Sequence, residues 1–191
     1  NHQTLIDARA AYDRLKEETD KEQADQAAAA GVTKMIEEIG EVTLESLPKI
    51  EAAENAYAAL TPDQKKYVTE ETVAKLTAAR AKYDQLKKEA DDKAKADEVT
   101  KLIDAIGEVT LESLSKIEAA ENAYAALTPD QKKYISEETV TKLTDARAAY
   151  DRLKEETDRA EADKVTKLID AIGEVTLESL GKIEAAEKAY A

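Results

Sequence analysis

Residues able to do acid–base or metal chemistry are unevenly represented in this 191-residue chain: it has 42 carboxylates, a single histidine and no cysteine. Adjacent acids occur at Glu17-Glu18, Glu70-Glu71, Asp91-Asp92 and Glu137-Glu138. Two neighbouring carboxylates could begin a calcium site, but calcium needs six or more oxygens around one centre. No D-x-D-x-D-G type of loop gathers them here, and adjacent helical residues diverge by about 100°. The pairs therefore read as helix caps and solvated faces. His2 stands alone in the N-terminal segment and reads as solvated. No Ser–His or Cys–His pairing, glycine-rich phosphate loop or His/Cys ligand cluster is present in the sequence. The expectation is a chain with no catalytic, cofactor-binding or metal-binding residue, needing no cofactor, and not an enzyme.

Tyrosine is the other side chain with chemical possibilities, and all eight aromatic residues are Tyr. They fall into three classes: Tyr57, Tyr124 and Tyr190; Tyr67 and Tyr134; Tyr12, Tyr83 and Tyr150. Rings of this kind could stack on sugars. Most, however, fall in register with an apolar stripe, where a ring is buried and its hydroxyl reaches the rim. The core reading is preferred, with Tyr67 and Tyr134 fitting it least well.

The elements that would position these residues are repeated. GEVTLESL occurs at Gly40–Leu47, Gly107–Leu114 and Gly173–Leu180, 67 and 66 residues apart, and LTPDQKKY occurs at Leu60–Tyr67 and Leu127–Tyr134. A fixed period of this length signals an array of one supersecondary unit. Between Gly40–Tyr67 and Gly107–Tyr134 only Pro48/Ser115 differs. In the middle copy, Val99, Leu102, Ile103 and Ile106 share a helical face and Gly107 is placed to end that helix. Glu108–Glu112 reads as an extended connection offering Val109 and Leu111 to the core. Ser113 reads as the next N-cap, because Pro48, Ser115 and Gly181 are poor residues for a helix interior but are tolerated in a first turn. The second helix carries Leu114, Ile117, Ala120, Tyr124 and Leu127. Thr128-Pro129-Asp130-Gln131 is a capping box opening a short turn, and Ser136 caps a third helix carrying Val140, Leu143, Ala146, Tyr150 and Leu153.

From Glu137 to Ile172, and from Thr69 to Ile106, there is neither Gly nor Pro. The polar stretches Lys87–Asp97 and Lys154–Lys164 keep strong helix formers, so the third helix of one unit is predicted to run on as the first of the next. A flexible acidic linker is the competing reading. The first junction is longer and contains Gly31, where a kink or break is predicted. The fold class is all-α: tandem three-helix bundles in series, a third helix each time continuous with the next first helix. Domain boundaries follow as 1–31 (a third helix plus bridge), 32–97 and 98–163 (full repeats), and 164–191 (the first two helices of a further repeat).

The formal charge of −14 and the pI near 4.7 argue against nucleic acid and against an anionic membrane surface. No apolar run approaches the roughly 20 residues of a spanning helix. Without an initiator Met or signal peptide, the sequence reads as a piece of a longer protein. Lacking Cys, it has no disulfide staple, which does not fix the compartment.

The strings VTLES, KIEAAENAYAALTPDQKKYV and KLTAARAKYDQL resemble tandem helical repeats of secreted and cell-wall surface proteins of Gram-positive bacteria. The continuous helices between repeats also resemble those of spectrin. The resemblance implies an extracellular, cell-surface or cell-wall location and carries over no catalytic residue. Glu54-Asn55 and Glu121-Asn122 stand where that pattern favours Ala-Arg, a departure read as tuning surface charge. The function expected is a non-catalytic spacer or stalk projecting an attached domain. Alternatives are a repetitive helical adhesin or ligand-binding module, with protein partner and ligand unknown, and a head-to-tail self-assembling fibre subunit. The last uses the N-terminal helix and the C-terminal helix pair as complementary leftovers, although truncation or proteolysis would leave the same ends.

Overall fold

The computed structural model describes His2–Tyr190. Among these residues the chain is all-helical, with no strand: α1 (His2–Glu37), α2 (Leu47–Ala59), α3 (Pro62–Lys65), α4 (Glu70–Asp104), α5 (Leu114–Ala126), α6 (Pro129–Lys132), α7 (Glu137–Asp170) and α8 (Leu180–Tyr190). It divides into two compact units, one reaching to Asp91 and the other starting at Asp92.

The helix boundaries are chemical. Gly40, Gly107 and Gly173 hold φ of 64°, 64° and 62°, the left-handed region that costs an L side chain about 1–2 kcal/mol. Each lies just beyond a long helix and turns the chain out of it. Thr61 and Thr128 open α3 and α6 as full capping boxes: the hydroxyl accepts from the Gln64 or Gln131 amide, and that Gln side chain accepts from the Thr amide. Ser136 caps α7 by accepting from the Thr139 amide at 3.1 Å. Ser113 precedes α5 as expected, yet its hydroxyl does not cap the helix. It sits in right-handed helical geometry and accepts instead from the Thr110 amide at 2.9 Å, tightening the TLES turn. Ser46 and Ser179 do the same toward Thr43 and Thr176, both at 2.9 Å.

In the first unit the buried core joins Ala29, Val32 and Ile36 of α1, Ile50 and Ala53 of α2, Leu60 and Val68 beside α3, and Leu76, Ala79 and Tyr83 of α4. In the second unit it joins Ala96, Val99 and Ile103 of α4, Ile117 and Ala120 of α5, Leu127 and Ile135, and Leu143, Ala146 and Tyr150 of α7. Ile50 and Ile117 are the largest side chains with no exposure at all. Most of the residues that the spacing places on apolar stripes between Val32 and Tyr150 therefore lie in or against these cores.

Four expectations need correction. α1 passes through Gly31 without a break. Burying Ala29, Val32 and Ile36 outweighs the roughly 1 kcal/mol that a helical glycine costs. Leu102 is on the solvent side of α4, one position off the stripe of Val99 and Ile103. Leu111 is also exposed, because Thr110–Ser113 forms a turn rather than an extended run; only Val109 packs on the core. Tyr12 and Tyr190 are exposed, unlike Tyr83 and Tyr150, because no third segment of the described residues covers them.

Candidate functional site

The most elaborate polar arrangement recurs once in each closed core. Glu54 on α2 faces Arg80 on α4, and Glu121 on α5 faces Arg147 on α7, 26 residues apart both times. Each guanidinium grips its carboxylate with two parallel bonds. Arg80 Nε donates to Glu54 Oε1 at 2.8 Å and its Nη2 to Oε2; Arg147 Nε and Nη2 treat Glu121 identically, again at 2.8 Å for Nε. This fork geometry suits Arg and no other cation. All four side chains are partly shielded. The hydrogen bond from arginine holds the Glu54 and Glu121 carboxyls below the usual range, against the smaller opposing effect of burial.

The pair sits at the edge of a groove between helices. In the second unit the groove encloses about 480 Å³ and is lined by Tyr124, Val140, Leu143, Thr144, Ala148 and Asp151 beside Glu121 and Arg147. Above it, Lys132 places its ammonium 4.9 Å from the centre of the Tyr124 ring; Lys65 stands 5.3 Å from that of Tyr57. Tyr57 and Tyr124 are half-buried, which fits the core reading with a wet rim.

Tyr67 and Tyr134 are exposed. The Tyr67 hydroxyl donates to Glu22 at 3.2 Å, and nearby Lys21 reaches Asp63 at 3.3 Å. Lys66 donates to Asp63 at 2.7 Å, and this bond, then the one from Lys21, lowers the pKa of Asp63. In the second unit the corresponding corner has Gln131 donating to Asp92 at 3.1 Å.

The paired acids diverge. Glu70-Glu71 and Glu137-Glu138 lie in the first turns of α4 and α7, where the helix dipole favours anions. Asp91 takes a bond from Lys87 at 2.9 Å, while its neighbour Asp92 takes the one from Gln131. Glu17 and Glu18 are exposed on α1, as is His2. Among the described residues no group of three or more His, Cys, Asp or Glu is arranged to hold a metal ion, and no helix is long and apolar enough to cross a membrane. Chemically, each Arg–Glu pair neutralises itself, and the groove of the second unit keeps one further carboxylate, that of Asp151, at its lining.

The sequence singled out Glu54 and Glu121 only as surface charge. The signal that would have found their role was the constant 26-residue separation from Arg80 and Arg147 in both copies. No family model, curated protein or solved structure matches the chain.

Proposed function

We propose that this chain is a non-catalytic spacer, an array of three-helix units linked through shared long helices in the manner of spectrin. On the resemblance of its repeats, it belongs to a secreted or cell-surface bacterial protein and projects an attached domain. One observation carries the reading. α4 is a single 35-residue helix that gives Leu76, Ala79 and Tyr83 to the first core and Ala96, Val99 and Ile103 to the second. A helix of that length spans about 52 Å, and its polar middle, Lys87–Lys95, is held helical by packing at both ends. The i,i+4 pair Lys87–Asp91 and the i,i+3 pair Lys95–Glu98 support the same stretch.

The near-identity of the repeats supports the same reading. Selection for length tolerates copied sequence, whereas a catalytic site requires one unique constellation. Small-angle X-ray scattering tests the proposal. A compact chain of this size would have a radius of gyration of about 16 Å. The spacer requires roughly twice that value, and a result near the compact figure overturns it.

A binding module is the second reading, favoured by Tyr67 and Tyr134, which are exposed at the same place in both copies. It requires that a Tyr67→Ala/Tyr134→Ala variant lose retention on isolated Gram-positive cell wall. Equal retention of variant and parent removes this reading.

A further inference from the structure

Each unit carries a similar slot on the outside of its bundle. In the second unit the groove beside the Arg147–Glu121 fork follows α7 from Val140 through Thr144 and Ala148 to Asp151. These residues repeat at spacings of three and four, so the slot runs about 16 Å along one helix face. Tyr124 and Glu121 of α5 form the opposite wall, and no residue of α4 lines it. In the first unit Val73, Thr77 and Ala81 of α4 face Tyr57 of α2 around a groove of about 700 Å³. They are the counterparts of Val140, Thr144, Ala148 and Tyr124. Thr144 and Ala148 are exposed and Tyr124 and Val140 half-buried, so the floor is apolar and open to a partner.

Charge around the slot is one-sided. Arg147 is forked to Glu121 but also lies in the field of Asp151 and Glu118, and Arg80 likewise in that of Asp84 and Glu51. Those four carboxylates are exposed and form no ion pair of their own among the described residues. Glu70 adds another at the edge of the first slot. The nearby cations are already engaged, Arg147 in its fork and Lys132 against the Tyr124 ring. A neutral or acidic segment lying here would strip water from the rim carboxylates and give nothing back. A basic segment would pair them.

We propose that each slot receives an amphipathic helix, rich in Lys and Arg, from a partner protein. Its apolar stripe lies along the slot as in any packed helix pair, over Tyr124, Val140 and Ala148 in one unit and Tyr57, Val73 and Ala81 in the other. Its cations meet Glu118 and Asp151, or Glu51 and Asp84. Because the slots are alike, one chain offers two similar seats, which raises avidity for a partner carrying two such helices. The inference uses packing within each unit and does not rest on the spacer role.

Isothermal titration calorimetry of the full chain, at about 0.15 M salt, with a Leu/Lys amphipathic helix peptide of about 18 residues tests this. Two peptides are expected to bind per chain, and a Leu/Glu peptide of the same pattern none. Asp151→Lys is expected to remove one of the two sites, and Asp84→Lys/Asp151→Lys both. Asp97→Lys makes the same charge change at an exposed position of α4, outside the groove of the second unit, and is expected to keep both sites. All three positions are exposed, so the variants stay folded, which an unchanged urea midpoint verifies. A Leu/Lys peptide that does not bind overturns the proposal. Equal losses in Asp97→Lys and Asp151→Lys also overturn it, because the net charge of −14 alone would then attract the peptide. Binding of the Leu/Glu peptide with similar affinity is the third overturning result, since the rim carboxylates would then select nothing. None of these outcomes alters the scattering result that decides the spacer.

Discussion

Helices α5 and α8 carry almost the same residues and meet different surroundings. LSKIEAAENAY in α5 becomes LGKIEAAEKAY in α8, and both follow a serine that closes the same TLES turn with a 2.9 Å bond. Ile117 of α5 is fully buried, whereas Ile183 of α8 is half-buried. Tyr124 lies in a groove and Tyr190 is largely exposed. The local fold is identical because its causes are local: a left-handed glycine, a hydroxyl and an apolar stripe. The core is different because α5 is covered by α7, while among the described residues α8 packs against α7 alone. Helix formation does not require a closed core here, since α8 is helical with little of its apolar stripe covered.

The largest expected effect tests the closed core. Ile117→Ala removes a fully buried side chain and should cost about 2–5 kcal/mol in urea unfolding followed by helical circular dichroism. Ile183→Ala, at the equivalent half-buried site, should cost less than about half of that. Equal losses would mean that α8 is packed as tightly as α5 in solution.

Next comes glycine, where position decides the sign. Gly107→Ala forces a side chain into positive φ and should destabilise by about 1–2 kcal/mol. Gly31 is helical, and a methyl group there would meet nothing within 4 Å. Gly31→Ala should therefore stabilise by up to about 1 kcal/mol, read as a higher urea midpoint at constant slope. A fall in the midpoint would show that glycine serves a purpose inside α1.

The smallest effect belongs to the Arg–Glu fork. Because the pair is partly exposed, Glu121→Gln should cost no more than about 1 kcal/mol at neutral pH. Its sign with pH is fixed by the lowered pKa of Glu121. The contribution is complete above the ordinary carboxylate value of 4.5 and is lost as pH falls below it through the folded-state value. Parent and variant should therefore converge in stability on acidification. A constant difference down to acid pH would show that the glutamate acts through shape rather than charge.

Helix boundaries, both capping boxes and the helical course of the polar bridges were legible in the sequence, since each follows from residues within four positions of one another. Tyr12 and Tyr190 were misread as core for the opposite reason. Their repeat counterparts are the same residue in buried or half-buried positions, and only the cover that a neighbouring segment provides distinguishes the sites. Leu102 was misread by one step of the helical wheel, where a stripe of Leu and Ile leaves the outermost member ambiguous. The roles of Glu54 and Glu121 stayed hidden because their partners lie 26 residues away and meet only when two helices pack.

By itself, then, the sequence determined where helices start and stop, that the chain is all-helical, and that the pattern repeats. Those properties depend on φ, on local hydrogen bonds and on 3.6-residue periodicity, all of which act within a few residues. Tertiary structure decided which stripes become cores, which tyrosines stay wet, that Gly31 is carried through a helix, and that glutamate meets arginine across two helices. These outcomes depend on how much apolar area a neighbouring segment can cover, a quantity no single stretch of sequence contains.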